Sequence, residues 1–488
     1  MGWWPWSKGV RSAVRIIRLR QGFGGELRAK FDSAQTTPEN RRHWANADHL
    51  SADAAANPQV RRILRNRARY EVANNSYARG IVLTLANDVI GTGPRLQMLL
   101  GDGKNQGANQ TVEREFAAWA KAVDLAGKLR TMRMARAQDG EAFALLCTNG
   151  GLWHPVQLDL RLIEADQVTT PGFVLPATGA VDGIVFDEHG NPKEYHVLKM
   201  HPGAQLVSAG LEYDKVPADA MVHWFRADRP GQSRGLPDIL PALPLFAQLR
   251  RYTLAVIAAA ESAANIAIFM KTNAPAGGEA AEVEPMATME FEPNMAIFGP
   301  EGWEPAQIKA EQPTTTYGEF KGEILNEIAR CLNMPYNVAA CNSSGYNYAS
   351  GRLDHQTYFK SIRVEQAHLE AVVLDRILDA WMAEAVKVFD LQGFDDWPHQ
   401  WFWDGHEHVD PAKEATAQAT RLASHTTTLA AEYARQGKDW ETELRQRAKE
   451  VALMKELGLP VTDAQPKAPP AGQADETNTE EEVDRAAA

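Results

Sequence analysis

Two stretches of this chain keep helical patterning for about three times the usual length of a helix in a globular protein. Residues 237–271 predict one helix of about 35 residues, roughly 52 Å long at 1.5 Å per residue. Residues 352–389 predict another, with Val364, Ala371, Leu374, Leu378 and Trp381 near one stripe. The second half of the first rod is mostly alanine, and small side chains let neighbouring helices approach closely. Ala258, Ala259 and Ala260 are the candidate packing positions. Between the rods, residues 335–351 contain no Lys, Arg, Asp or Glu; Asn, Ser, Gly, Ala and Tyr predict a flexible neutral loop.

The remainder reads as an α+β body. Residues 57–90 predict a helix with a face through Val60, Ile63, Leu64, Ile81, Leu85 and Val89, closed by Gly91 and Gly93-Pro94. Residues 111–123 and 129–147 predict two more helices. From 152 to 225 the period changes to two: Val156–Leu160 alternates, Val181–Phe186 and Tyr195–Leu198 flank a turn at Gly190-Asn191-Pro192, and Val222–Phe225 is a further strand. Residues 273–315 are broken by Pro and Gly with short β-like runs such as Ala296-Ile297-Phe298. Thr316 and Glu319 predict a capping box for a helix carrying Phe320, Ile324, Ile328 and Leu332 inward, before Pro335. Asp410-Pro411 opens a helix to about 436, and Asp439 caps a last one that closes at Gly458.

Charge and motifs remove several classes of function. The net charge of −12 opposes sequence-independent DNA binding over the whole surface. Three cysteines, Cys147, Cys331 and Cys341, make no disulfide framework and no paired zinc ligands. Tyr252–Met270 is apolar enough to suggest a membrane span, but Glu261, Ser262 and Asn265 sit in its middle, so it predicts a packed helix. The basic first thirty residues lack the apolar centre of a secretory signal and read as a membrane-surface helix, a transit peptide or, best, a frayed basic arm within 1–56, and 461–488 predict a disordered acidic tail. No G-x-x-x-x-G-K-[ST] occurs, so no P-loop ATPase is expected. Gly91-Thr-Gly93 lacks the third glycine of a dinucleotide fingerprint. His399, His406, His408, Glu407 and Asp410 cluster without metal-ligand spacing.

Gly231-Gln232-Ser233-Arg234-Gly235 matches G-x-S-x-G, which makes a serine hydrolase the alternative reading. Arg226–Pro230 separates the motif from the preceding strand, so Ser233 would not stand at a strand tip, and a structural glycine turn fits better. No catalytic, cofactor or metal site survives.

Several stretches together resemble the portal proteins of tailed bacteriophages, of the lambda type. They are Arg67-Ala-Arg69-Tyr70 with Asn74-Asn75; Asn87-Asp-Val-Ile-Gly91-Thr-Gly93; His223-Trp224-Phe225 with Gly231-Gln-Ser-Arg-Gly235-Leu-Pro237; Asn347-Tyr-Ala-Ser-Gly-Arg352; and Asp410-Pro-x-Lys413-Glu414 with Gly437-Lys-Asp439. Their order and spacing run from about 57 to 458. Ala349 departs from the family's Asn-Tyr-Ser-Ser pattern.

The resemblance implies a ring, usually of twelve subunits, at one capsid vertex of the virion, assembled in the host cytoplasm. DNA is pumped in through it by a separate terminase motor and later leaves through it. The other implied partners are the major capsid protein, a head-completion or tail connector protein, and double-stranded DNA held without sequence specificity. No cofactor and no membrane are implied.

Mapped onto this chain, 1–56 is the arm and 57–236 an α+β wing. Residues 237–272 are a stem helix, 273–315 the clip, 316–334 a second stem helix and 335–351 the tunnel loop. Residues 352–408 are a long wing helix with its following segment, and 409–460 a helical crown. Asn342, Ser343, Ser344, Tyr346, Asn347 and Tyr348 are then the candidates to face DNA. The residues agree with that reading on physical grounds, since a neutral loop and an acidic chain hold phosphate weakly.

Overall fold

In the computed structural model of the chain, which describes residues 38, 41–99, 106–171, 179–204, 212–265, 269–272, 303–306, 316–391, 396–405 and 411–460, the helical stretch 57–90 is divided at Asn75. A short α1 (Ala52–Ala55) precedes it; α2 (Pro58–Asn74) ends and α3 (Ser76–Ile90) begins on either side of that asparagine. The Asn75 carboxamide oxygen accepts the amides of Tyr77 and Ala78 at 3.0 and 3.4 Å, while its own amide donates to the Glu71 carbonyl. An asparagine that caps one helix and closes the other competes with a continuous ladder, so the expected single helix becomes two packed ones. At the far end, Gly91 takes a φ of 56°, and the Asp404 carboxylate receives the Thr92 hydroxyl at 2.8 Å and Arg95 at 2.9 Å. The Gly91-Thr-Gly93 segment is thus a helix-closing turn.

Strand β1 (Arg95–Met98) leads to α4 (Gln106–Ala122) and α5 (Leu125–Asp139). The helix expected over 129–147 stops at Gly140, with φ 92°, and β2 (Glu141–Thr148) follows. The reason is a close backbone crossing: a Cβ on Gly140 would lie 2.4 Å from the Leu236 backbone, and one on Gly235 would lie 2.0 Å from the Gly140 carbonyl oxygen. β2 pairs antiparallel with β3 (Leu158–Ile163) on one side and, on the other, with a strand still to come from further along the chain. A second sheet, in the order β4-β5-β6-β7, contains β4 (Ala180–Val181), β5 (Ile184–Phe186), β6 (Pro192–Leu198) and β7 (Tyr213–Pro217). The hairpin read at Gly190-Asn191-Pro192 is the β5–β6 turn. β8 (Met221–Phe225) completes the first sheet, ordered β3-β2-β8.

The rod read over 237–271 is shorter than expected. Leu240–Ala242 is a 3₁₀ turn around Pro241; α6 runs Leu243–Asn265, and β9 (Phe269–Thr272) pairs antiparallel with β10 (Trp303–Ala306). Prolines 237 and 241 hold the start back, since each lacks the amide that a helix interior needs. Then come α7 (Tyr317–Arg330), a short α8 (Tyr336–Ala340), α9 (Tyr348–Leu369), a π-helical turn over Glu370–Leu374 and α10 (Asp375–Val388). The second rod is therefore continuous from 348 to 388. Thr316 is itself helical, at φ −76° and ψ −8°, and makes no side-chain cap, so the capping box expected with Glu319 does not form.

β11 (His399–Phe402) pairs antiparallel with β1. Helices α11 (Pro411–Ala423), α12 (Leu429–Arg435) and α13 (Trp440–Glu456) close the described chain. The helix read as running from 411 to 436 breaks at 424–428, while Asp439 caps α13 as expected, accepting the Thr442 amide at 2.8 Å. The Ala296-Ile297-Phe298 run, Asp410 and the acidic tail lie outside the described residues, as do most of the basic arm and most of 273–315.

The architecture is α+β. One apolar core joins α2–α5, the β3-β2-β8 sheet, the start of α6, α7 and the α9–α10 rod. Its centre is aromatic: Phe116 meets Trp119 and Trp381 at 5.2 and 5.3 Å between ring centroids, and the Trp119 indole N–H donates to the Leu158 carbonyl at 2.7 Å. A smaller core of Phe143, Ile163, Val168, Ile184, Tyr195, Val197 and Met221 sits under the four-stranded sheet.

Candidate functional site

The G-x-S-x-G segment is the root of α6, and it is held by charge. Arg234 is fully buried; its Nη2 and Nε reach the two oxygens of Glu141 at 2.6 and 2.8 Å, and its Nη1 reaches the Val168 carbonyl at 3.0 Å. Gly235 donates its amide to the same carboxylate at 3.1 Å, and His223 lies 3.1 Å from it, stacked on Phe143 and Phe225. Burial alone would raise the Glu141 carboxyl; Arg234 and His223 outweigh it and hold the group well below the usual carboxylate range. Burial pushes the His223 imidazole down, against the pull of Glu141.

Ser233 is held in a turn and does not stand at a strand tip. Its hydroxyl donates to Asp53 at 2.8 Å and its amide to the other Asp53 oxygen at 2.8 Å. Seven residues separate β8 from it, and the residue it bonds is a carboxylate in α1, so the serine ties a turn down.

A second buried lattice lies one turn further on. Asp238 receives Arg133 at 3.0 Å and Arg226 at 3.1 Å, and Glu365 on α9 receives Arg136 at 3.1 Å as well as Arg133. Sequence reasoning singled out neither lattice. Its members are spread from 133 to 365, and only the fold brings them together.

From this root α6 rises and pairs with α7. Tyr252 packs on Tyr317 and Phe320 at centroid distances of 5.6 and 5.0 Å, and the Tyr317 hydroxyl donates to Thr253 at 3.1 Å. The three alanines divide: Ala258 is exposed, whereas Ala259 and Ala260 are half-buried. The loop is shorter than 335–351, because α8 takes 336–340 and α9 starts at Tyr348. Cys341 turns the chain with φ 51°. Asn342, Ser343 and Ser344 are exposed, and the Asn342 side chain accepts the Ser344 amide at 3.0 Å. Asn347 is exposed and caps α9 through the Ser350 amide at 2.8 Å. Tyr346 is partly buried beside Gly351, and burial pushes its phenol up. Asn342, Ser343, Ser344 and Asn347 are thus exposed, Tyr346 lies against Gly351, and the Tyr348 side chain lies outside the described residues.

No strong metal site is assembled among the described residues. Glu164, Asp166 and His201 gather ligand atoms, but Arg69 already lies on both carboxylates, 2.8 Å from Asp166 and 3.5 Å from Glu164. His399 spends one ring nitrogen on the Trp397 carbonyl and the other on Asp375; His406, Glu407, His408 and Asp410 lie outside the described residues. Among the described residues, no helix is long and apolar enough to cross a membrane.

The family model for phage portal protein, lambda family, matches residues 38–366, which takes in the α+β body, the α6–α7 pair, the loop and most of α9. The chain belongs to the lambda family of phage portal proteins. A curated relative, the probable portal protein of Halomonas phage phiHAP-1, is 26% identical over 427 residues, covering 81% of each chain. Among solved structures, this portal protein is similar to a chain in the neck of a native gene transfer agent particle computed with C12 symmetry. That likeness has 11% identity and a TM-score of 0.45, over 78% of this chain and 94% of the other. A chain in the neck of the empty particle, computed with C6 symmetry, matches at 12% identity and a TM-score of 0.45, over 75% and 91%. The family is structural, and neither it nor the relatives support the serine-hydrolase alternative.

Proposed function

We propose that this portal protein assembles with copies of itself into a ring whose central channel conducts double-stranded DNA at one vertex of a virion. In this reading α6 and α7 are the stem, 341–347 the tip of the tunnel loop, 273–315 the clip, α11–α13 the crown and the α+β body the wing. Twelve subunits is the number that the resemblance implies. The observation that carries the proposal is the exposed, uncharged tip at Asn342–Ser344, at the end of a charge-anchored helix pair. A channel surface must touch phosphate without holding it, and each added cation would hold it more tightly and make the contact salt-dependent.

Packing force comes from a separate terminase motor, and the ring bonds to the capsid protein and to a head-completion or tail connector. Assembly takes place in the host cytoplasm. The ring itself carries out no ATP or ester hydrolysis.

The test is twofold. Negative-stain images of the purified protein should show rings with a central hole, and a uniform population of compact monomers would overturn the proposal. Rings of Asn342→Lys with Ser344→Lys should package DNA more slowly or retain less, most of all at low salt. Unchanged packaging at every salt concentration would remove the loop from the channel. Esterase turnover abolished by Ser233→Ala would restore the hydrolase reading.

A further inference from the structure

One turn of the rod is not α-helical. Over Glu370–Leu374 the bonding widens to a π turn, in which the Asp375 amide donates to the Glu370 carbonyl. In an unbroken α-helix, residues 370 and 375 would point about 140° apart. In the wider turn both face the segment 397–403. Every second residue of that segment bonds a carboxylate of the rod. The indole N–H groups of Trp397, Trp401 and Trp403 donate to Asp379, Asp375 and Glu370 at 2.9, 2.9 and 2.6 Å, and His399 lies 3.2 Å from the same Asp375 oxygen. Of the four, Trp403 alone bonds a residue within the π turn. Such turns are rare inside α-helices and gather at functional positions.

The backbone at Trp403 is clamped from the other side. A Cβ on Gly437 would lie 2.5 Å from the Trp403 carbonyl oxygen, and one on Gly405 would lie 2.5 Å from that of Arg435. The turn between α12 and α13 thus rests directly on 403–405. Along the rod in the other direction, Glu365 receives Arg133 and Arg136, while Gln366 and Tyr358 bond Val89 and Asp88 of α3. A π turn is wider than an α turn, so it has a second, discrete bonding pattern, and coupling between distant parts needs such a two-state element. We infer that Trp403 and Glu370 form a latch. The α12–α13 turn holds 403–405 in place, Trp403 holds the π turn, and the π turn sets how firmly Glu365 engages Arg133 and Arg136 at the root of α6. Opening the latch lets the turn leave its π bonding and loosens that root, while the anchors at Tyr358 and Gln366 keep the earlier part of α9 still. The inference does not depend on the ring proposed above.

Amide hydrogen exchange of the full-length protein tests it. Trp403→Phe keeps a ring and removes the N–H donor. Amides of 370–375 should then exchange about tenfold faster and those of 239–243 about threefold faster, with α4 and β2 unchanged. Glu370→Gln keeps an oxygen for the indole and should stay within about twofold of wild type at both places. Trp397→Phe, which cuts the bond to Asp379 beyond the turn, should do the same. Gly437→Ala pushes on the Trp403 carbonyl from the far side and should reproduce the acceleration at 370–375. Added to Trp403→Phe it should contribute less than about a further twofold, because both act through one bond. Unchanged exchange at 370–375 in Trp403→Phe would overturn the latch, and acceleration there with none at 239–243 would overturn the coupling to the root of α6. Acceleration spread over α4 and β2 would mean that the whole fold had lost stability and no single turn was released. A fully multiplicative double variant would mean that the α12–α13 turn acts by another route. Either result overturns the inference.

Discussion

The body of this subunit and its α6–α7 pair treat charge in opposite ways. In the body, Arg234, Glu141, Arg133, Asp238 and Glu365 are paired within the chain, and Arg234 and Glu141 are out of contact with water. On α6 and α7, Arg251, Glu319, Glu323 and Glu327 stand exposed and unpaired among the described residues, beside exposed Leu254 and Phe320. Helix α13 goes further still, with no buried residue along its length. The contrast separates two jobs. The body satisfies itself as a single chain, so it defines where the helices start. Helices α6, α7 and α13 carry surface that no described residue of the chain covers.

The sharpest way to break this contrast is to unpair the body. Glu141→Gln leaves the buried Arg234 guanidinium with only the Asp182 carboxylate, 3.4 Å away and shared with Arg61, and removing one partner of a buried pair costs about 3–5 kcal/mol. Denaturant unfolding of the isolated subunit should show that loss. A change below about 1 kcal/mol would mean that the lattice tolerates an open pair, and the body would not be the self-sufficient half. Arg251→Ala, by comparison, should move the same measurement by no more than about 0.5 kcal/mol.

The alanines of α6 divide the two regions within one helix. Ala258→Leu overpacks a bare face, which costs roughly 1–3 kcal/mol at each contact between subunits, while the melt of the single subunit stays put. Ala260→Leu, at a half-buried position, should lower that melt directly. Equal ring yields for wild type and for Leu at 258, 259 and 260, each tested singly, would show that no neighbour packs closely here.

Much of this arrangement is legible in the residues, and the misses share a physical cause. The strands at 195–198 and 222–225, the Gly190-Asn191-Pro192 hairpin, the Asp439 cap and most of the long rod depend on near neighbours in the chain and appear as read, whereas the strand read over 181–186 is split by a turn at Asp182-Gly183 and the one read at 156–160 starts only at Leu158. The helix expected over 129–147 fails because Gly140 touches Leu236, a contact almost a hundred residues away along the chain that no local pattern reports. The break at Asn75 had a local signal in Asn74-Asn75-Ser76, outweighed by the apolar stripe on either side. At the loop, absence of charge showed where the exposed tip lies, but not that α8 and the Asn347 cap shorten it. The lattice around Arg234 and Glu141 was hidden, because a buried ion pair is written at two distant positions with no periodicity.

The Asn347 cap gives a smaller and more local test. Asn347→Ala loses the bond to the Ser350 amide and should cost about 1 kcal/mol, since a capping side chain contributes roughly 0.5–2 kcal/mol. Hydrogen exchange should speed up in the first turn of α9 and nowhere in the body. Faster exchange across α5 or β2 would mean that the loop and the body are one cooperative unit.

The junction between the body and α13 carries the smallest effect, and its sign can be worked out. Glu113 on α4 accepts the Met98 amide at 2.7 Å, and next to it Gln97 donates to Asp439, the cap of α13, at 2.6 Å. Burial, with Asp439 and Glu441 adding negative charge, pushes the Glu113 carboxyl up from 4.5 to about 7. A raised carboxyl keeps its proton in the folded chain after the unfolded chain has released it. Its contribution is therefore complete below pH 4.5 and is lost as pH rises through about 7. Glu113→Gln keeps a neutral side chain at every pH. It should match wild type near pH 4 and exceed it at pH 8, by about 1 kcal/mol once partial exposure is discounted. Thermal melts of both proteins at the two pH values, with proteolysis at 436–440 as a local reading of release of α13, check the prediction. A variant less stable than wild type at pH 8 would mean that the ionised carboxylate, through its bond to the Met98 amide, holds α13 to the body.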